Sequence, residues 1–183
     1  MPKKMGKYFI ALVPEEPLRQ EISHLKHLLK EEFGVKYALK SPPHITLKMP
    51  FVYNENKESV LEAKLESFFL EESGFDLSLS GIGHFGNRVV YLRVKYPPDL
   101  PALQQRLVRY GKRTLGQHIE LSDLNYHPHL TLAFKDIKKD HFDMLIEFLK
   151  SKVSRYHMAV ETVSLLKKTD SHWIIKNNFN LLK

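Results

Sequence analysis

The apolar positions of this chain change period several times, and each change marks an element. Residues 8–13 (Tyr-Phe-Ile-Ala-Leu-Val) form an unbroken apolar run of strand length, closed by Pro14, and read as a buried inner strand. Over 16–33 the apolar positions Leu18, Ile22, Leu25 and Leu29 recur at helical spacing, and Gly34 supplies the stop. Residues 35–39 read as a short strand. Pro42 and Pro43 then impose an extended approach on a segment of period two, residues 44–49, with 50–53 leading out of it. A second helix is expected over 57–69, capped by Asn54 or Asn56, with Val60, Leu61, Leu65 and Phe68 facing inward. Residues 75–79 and 89–94 read as the strands of a hairpin whose long Gly-rich loop spans 81–88. A third helix follows over 100–114, with Leu103, Leu107 and Tyr110 inward, and residues 115–126 read as irregular. The period returns to two over 129–134. A fourth helix, 138–152, carries Phe142, Leu145, Ile146 and Leu149, and strands over 157–166 and 173–181 close the chain around Thr169-Asp170-Ser171.

The two segments of period two carry the same phrase. Pro43-His44-Ile45-Thr46-Leu47 recurs as Pro128-His129-Leu130-Thr131-Leu132, eighty-five residues on (129 minus 44). Alternation along a strand puts His44 and Thr46 on one face and Ile45 and Leu47 on the other, and does the same for the second copy. The apolar face enters a core, which leaves an imidazole and a hydroxyl side by side on a rigid element. Each phrase is followed by a helix and then a strand pair. That order predicts an internal duplication of class α+β: a single bilobal domain over 1–183. In it, two mostly antiparallel sheets flank a central cleft, with helices on their outer faces.

Composition narrows the chemistry. Lys and Arg total 28 against 21 Asp and Glu, a net charge of +7, which favours anionic partners such as RNA, nucleotides or phosphate esters. The absence of cysteine excludes disulfides and thiolate sites. No stretch reaches the length of a membrane span, and the apolar run at 8–13 is too short for the core of a signal sequence. A cytoplasmic monomer without membrane contact is expected.

Two imidazoles facing each other across a cleft suit general acid–base work, because histidine is the side chain whose ordinary pKa lies near neutrality. One accepts a proton from an attacking oxygen while the other donates to the leaving oxygen. Two hydroxyls between them can donate to anionic oxygens. His44, Thr46, His129 and Thr131 thus make a catalytic quartet for in-line displacement at a phosphodiester, with no metal or cofactor required. Lys48 continues the face of His44 and Thr46 by alternation and is expected to reach a phosphate. Phe85 and Arg88, in the Gly-rich loop, are expected on the substrate rim, where an aromatic ring can stack on a base. Phe51 and Trp173 are expected in the packing. Two other readings stand beside this one. His127 and His129 on one strand face form the start of a metal site, without a completing carboxylate or third histidine at characteristic spacing. A basic cleft can also bind RNA ends or nucleotides without turning them over.

The chain resembles the 2H phosphoesterase superfamily, in its 2′-5′ RNA ligase and cyclic phosphodiesterase branch. The resemblance spans nearly all of it: Tyr8-Phe9-Ile10-Ala11-Leu12, the first phrase, the strands around Gly83-His84-Phe85, and the second phrase with Ala133. It implies a bilobal fold with one His-x-Thr from each lobe and metal-independent opening of 2′,3′-cyclic phosphates to 2′-phosphates. It also implies 2′-5′ RNA ligation as the reverse reaction. It casts His44 as the acid and His129 as the base. RNA ends, small cyclic nucleotides and ADP-ribose cyclic phosphate all remain open as substrates.

Overall fold

The first strand, β1 (Met5–Leu12), fills the apolar run and lies inside a sheet, between β2 (Ile45–Asn54) and β7 (Thr162–Thr169). The computed structural model describes residues 4–183. Among the described residues, eight strands form one sheet in the order β6-β3-β4-β5-β2-β1-β7-β8, and every neighbouring pair is antiparallel. The remaining strands are β3 (Phe75–Phe85), β4 (Val89–Lys95), β5 (His129–Phe134), β6 (Tyr156–Val160) and β8 (His172–Asn180). The expected pair of sheets is therefore one sheet. Its middle seam, β2 against β5, is held by a single ladder pair, Ile45 with Leu130. These are the two x positions of the repeated phrase.

The stretch expected as one strand over 157–166 is two strands, separated by Glu161 alone. β6 pairs with β3 at one edge of the sheet, while β7 pairs with β1 in the other half. A single linking residue spans only about 3.5 Å, so the edge strand must come round towards β7 and the sheet must curl. The closure is reinforced at the chain end. The Leu181 amide donates to the Glu161 carbonyl, and Gly74 and Leu182 are joined to the same corner by backbone bonds.

The helices cover one face of this sheet with a continuous apolar core. α1 (Leu18–Phe33), α2 (Glu58–Phe69), α3 (Asp99–Thr114) and α5 (Phe142–Lys152) contribute Ile22, Leu29, Leu61, Leu65, Leu103, Leu107, Leu145 and Leu149, among others. The helices are exchanged between halves. α1 follows β1 but packs on β5 and α5, whereas α3 follows β4 but packs on β2. Neither half can bury its own apolar face alone, so the two are one cooperative core.

Several boundaries differ from expectation for local reasons. Residues 37–40 form a 3-10 turn in place of a strand (Tyr37–Lys40), ordered from outside by the Asp136 carboxylate, which accepts from the amides of Lys36 and Tyr37. β2 runs on through Pro50. The Gly-rich 81–88 segment is mostly strand, and only the turn at 86–88 is a loop. The inward stripe of α2 is Leu61, Leu65 and Phe69; Val60 is exposed. A short helix, α4 (Leu121–Leu124), interrupts the stretch expected to be irregular, closed by a reciprocal cap between Glu120 and Asp123. Among the described residues, no helix is long and apolar enough to cross a membrane.

Candidate active site

The single seam pair decides the geometry of the site. Counting outward from Ile45 and Leu130 in an antiparallel pair sets His44 across from Thr131 and Thr46 across from His129. The four side chains leave the sheet on the face away from the helices, because Ile45 and Leu130 are fully buried in the helix-side core. The imidazoles occupy diagonal corners and the hydroxyls the other two. Each of the four is partly exposed.

The two imidazoles are tethered alike. His44 Nδ1 lies 2.7 Å from the Pro42 carbonyl oxygen, and His129 Nδ1 lies 2.7 Å from that of His127. A carbonyl can only accept, so each Nδ1 carries the proton and each Nε2 is left as the working nitrogen. The proline between carbonyl and histidine has a fixed φ and keeps the preceding residue extended, so the tether is written into the Pro-His dipeptide.

The bulge that follows each motif removes Lys48 from the site. Ala11 pairs with Thr46, but Ile10 pairs with Lys48, so one extra residue of β2 is inserted at Leu47. Leu47 and Lys48 therefore both face the helices. The same irregularity recurs in the second copy, where Thr131 pairs with Tyr91 and Ala133 with Val90. The Lys48 ammonium meets Asp123 of α4 at 2.7 Å, each side chain 1% exposed. Asp123 also accepts from the amides of Met49 (3.0 Å) and Glu120 (2.9 Å). Lys48 was expected at the substrate; it is a buried structural lysine.

Phe85 reaches the site. Its ring stands edge-on to His129, with centroids 5.1 Å apart, and 4.6 Å from Tyr91. Tyr91 lies over Gly83, where any Cβ would collide with its ring, so glycine is what lets the phenol lie flat on the sheet. Arg88 is exposed at the tip of the β3–β4 turn, and its carbonyl accepts from the Lys135 amide. Phe51 is buried and stacks on Tyr8, as expected of a core residue. His127 is exposed with its Nε2 3.4 Å from the Tyr91 hydroxyl. Among the described residues no third His, Cys, Asp or Glu joins His127 and His129 in a ligand cluster.

Three groups near His44 were not picked out from sequence. Phe9 lies 4.8 Å from the His44 ring, and Trp173 stands edge-on to Phe9 at 4.7 Å. An unbroken apolar strand has two apolar faces, and nothing in 8–13 tells which one lines the cleft. The third is Lys26, buried on α1 with 3% exposure, which donates to the carbonyls of Ala38 (3.1 Å) and Ser41 (3.3 Å). Burial lowers its pKa from 10.5 to about 7.

The imidazoles are shifted as well. Burial, then the Lys26 ammonium, lowers His44 to about 4; His129 nearby adds to this, and the bond to Pro42 opposes it. Burial also lowers His129, with the bond to the His127 carbonyl opposing and the His127 ring adding to the fall. Both shifts favour the neutral ring in the free protein.

The Lys26 shift has a stability consequence. Between about 7 and 10.5 the unfolded chain holds a proton that the folded chain lacks, so stability rises with pH through that window. The slope is at most about 1.4 kcal/mol per pH unit. Urea unfolding from pH 7 to pH 8.5 will therefore show a gain of at most about 2 kcal/mol in the wild type, lost in Lys26→Gln. Equal slopes in the two proteins would mean that Lys26 keeps an ordinary pKa.

The fold is an antiparallel α+β sheet with the paired His-x-Thr strands at its centre. The family model for the 2′-5′ RNA ligase superfamily matches residues 14–172. A Bacillus cytotoxicus protein described as a candidate phosphoesterase is 30% identical over 158 residues, covering 85% of this chain and 87% of that protein. A Bacillus anthracis protein of the same description is 29% identical over 159 residues, with coverage of 85% and 87%. Among solved structures, Escherichia coli LigT complexed with 3′-AMP superposes with a TM-score of 0.67 at 18% identity, covering 98% of this chain and 100% of that one. A Thermus thermophilus protein gives a TM-score of 0.64 at 18% identity, with coverage of 96% and 97%. The chain belongs to the 2′-5′ RNA ligase superfamily, a group of 2H phosphoesterases.

Proposed function

We propose that the site opens 2′,3′-cyclic phosphates of RNA ends or nucleotides to 2′-phosphates, by acid–base catalysis between His44 and His129 and without a metal. The observation that carries this reading is the opposed quartet: two Nε2 atoms at diagonal corners, each with its Nδ1 tethered, and a threonine hydroxyl opposite each. Water attacks phosphorus and gives its proton to one Nε2. The P–O3′ bond breaks, its electron pair stays on O3′, and that oxygen takes a proton from the other Nε2–H. Thr46 and Thr131 donate to the non-bridging oxygens as charge builds there. Run backwards on a 2′-phosphate and a 3′-hydroxyl, the same proton movements re-form the cyclic ester. With a second RNA end as the attacking group they give the 2′-5′ ligation that the family name records. LigT, similar in fold, has been crystallised with 3′-AMP and with phosphate, which supports a phosphate-centred site.

Phe85, exposed beside His129, and Trp173, half-buried over Phe9, offer aromatic surface near the imidazoles, suited to a nucleobase. The net charge of +7 favours a polyanion over a small neutral ester.

The test is a substrate panel, with an RNA 2′,3′-cyclic phosphate, a mononucleoside 2′,3′-cyclic phosphate and ADP-ribose 1″,2″-cyclic phosphate, assayed with and without EDTA. ³¹P NMR identifies the regioisomer formed. Turnover to the 2′-phosphate that survives exhaustive EDTA treatment is expected. Loss on chelation with recovery in Zn²⁺ or Mn²⁺ would move the chemistry to His127 and His129. Binding of all three without turnover would make the protein a binder of RNA ends.

A further inference from the structure

With Lys48 buried against Asp123, the two motif strands bring no ammonium of their own to the quartet. Cations reach that face from other elements. On β5, Ala133 is buried in the helix-side core, so Phe134 returns to the cleft face. The strand ends there. Lys135 follows with φ 72°, a left-handed conformation that a residue with a Cβ rarely adopts. Its amide donates to the Arg88 carbonyl at 3.2 Å. The next carboxylate, Asp136, accepts from the amides of Lys36 and Tyr37, both at 2.8 Å. These bonds to two other segments hold the strained turn in place. The turn lays the Lys135 ammonium over two rings, Tyr37 at 4.7 Å and Phe134 at 5.2 Å. The same ammonium donates to the Tyr37 hydroxyl at 3.1 Å. Lys40 Nζ also lies 4.7 Å from the Tyr37 ring.

A third ammonium comes from β7. Leu166 pairs with Phe9 and packs with it on the cleft face, so Lys168, two residues on, has the same side. Lys168 pairs with Trp173, and its Nζ stands 5.8 Å over the indole. Its charge reaches Tyr37 as well. The bond from Lys135 lowers the pKa of the phenol most, and the charges of Lys135, Lys40 and Lys168 add to the fall against burial. Among the described residues, none of these three lysines is ion-paired with a carboxylate. The cluster borders His44. Lys40 lies four residues before it, and the rings of Trp173 and Phe9 connect Lys168 to it in steps of 4.7 and 4.8 Å. The His129 side has no equivalent. Across the repeat of eighty-five residues, Lys135, Tyr37 and Lys40 correspond to Pro50, Ser122 and Asn125 (135 minus 85, 37 and 40 plus 85). Arg93, which pairs with His129 in the ladder, is a single exposed guanidinium.

We propose that Lys40, Lys135 and Lys168 form a second anion site, which takes the phosphoryl group on C5′ of the ribose whose cyclic ester is opened. The site rests on the phosphoesterase reading above and narrows it to ribose cyclic phosphates that carry a 5′-phosphate ester. That ester is the next phosphodiester of an RNA chain or the pyrophosphate of an ADP-ribose cyclic phosphate. Three like charges around one phenol repel one another, and an anion among them turns that repulsion into attraction. An ammonium has three donors, and Lys135 spends one on Tyr37, which leaves two for phosphate oxygens. Only the ribose separates a 5′-phosphate from the cyclic ester, so the group falls beside the quartet. The side of the quartet that offers clustered cations is that of His44.

Adenosine 2′,3′-cyclic phosphate and its 5′-phosphorylated form test this with one group changed. In wild type the 5′-phosphate is expected to raise kcat/KM by about tenfold or more, and added salt to shrink the gain. Lys135→Met and Lys168→Met should each cut the gain by about threefold or more, and the double variant should remove most of it. Both side chains are exposed, so the fold survives their loss. Arg93→Ala should keep the gain. No gain in wild type, an unchanged gain in the double lysine variant, or its loss in Arg93→Ala would each overturn the site. A dinucleotide ending in a 2′,3′-cyclic phosphate and ADP-ribose 1″,2″-cyclic phosphate then separate the two sources. A lysine-dependent advantage of the first assigns the site to a phosphodiester, and of the second to a pyrophosphate; an advantage of neither would also overturn it. If wild type turns over no cyclic phosphate, the proposed function fails, and binding decides the anion site. By calorimetry 5′-AMP should then bind about tenfold or more tighter than adenosine, and lose that advantage in the double lysine variant. An advantage that is absent in wild type, or kept in the variant, would refute the site.

Discussion

His44→Ala and His129→Ala will each lower turnover of a 2′,3′-cyclic phosphate by about 10²-fold or more, the usual loss when a general acid or base is removed. Each imidazole has one tethered nitrogen and one free one, so no neighbouring group can take over the proton transfer. His127 is the nearest alternative base, but its Nε2 is already 3.4 Å from the Tyr91 hydroxyl. Affinity for the 2′-phosphate product should fall much less, since the threonine hydroxyls and the Phe85 ring remain. Thr46→Ala and Thr131→Ala should be milder, about 1.5–3 kcal/mol each for one hydrogen bond to a charged oxygen. The pH profile adds a sharper expectation. One ring must be neutral and the other protonated, and both values lie below the ordinary 6.5, that of His44 at about 4. The optimum of kcat/KM should therefore lie on the acid side of neutrality, and in tightly bound complexes, where the phosphate raises both values, kcat should peak at higher pH. Steady-state kinetics on folded variants decide the matter: wild-type rates in both histidine variants would remove these residues from the chemistry.

Asp123→Ala will destabilise the fold by about 3–5 kcal/mol, the cost of leaving a buried charge without its partner. The Lys48 ammonium would keep only the Met49 carbonyl at 3.4 Å, and the amides of Met49 and Glu120 would lose their acceptor. For a chain of this size the melting temperature should fall by roughly 10 °C. The double variant Lys48→Met with Asp123→Leu should recover most of the loss, because a well-packed apolar pair is often no less stable than a buried ion pair. Chemical denaturation of the two single variants and the double variant measures the coupling. A loss below about 1 kcal/mol in Asp123→Ala would mean that water reaches Lys48 and the pair is not dry.

These two expectations differ in how much of each is legible in the residues alone. The quartet His44, Thr46, His129 and Thr131 needs only the alternation of a strand and the repeat of a phrase, both local properties of the chain. The same holds for the Pro-His tether, for α1 with its Gly34 stop (φ 70°), and for the α+β class. Lys48 failed because alternation holds only while the ladder is regular. One inserted residue at Leu47 turned it to the other face, and a bulge is decided by pairing with β1, which has no signature in residues 44–49. Lys26 and Asp123 lie on elements remote in sequence from the strands they support. Their role depends on helices that cross to the opposite half, and such an exchange leaves no trace in a periodic pattern.

The sheet itself divides in the same way. Residue type and spacing were enough to say that most of the strand segments are extended and to mark the two His-x-Thr phrases as candidates. They were not enough to make the strands one curled sheet, to divide the stretch 157–166 at Glu161, or to join the two motifs through the one pair of Ile45 with Leu130. Nor could they bury the Lys26 ammonium against the carbonyls of Ala38 and Ser41. Each of these follows from long-range packing of a shared core, where the energy of a contact depends on residues far apart in the chain.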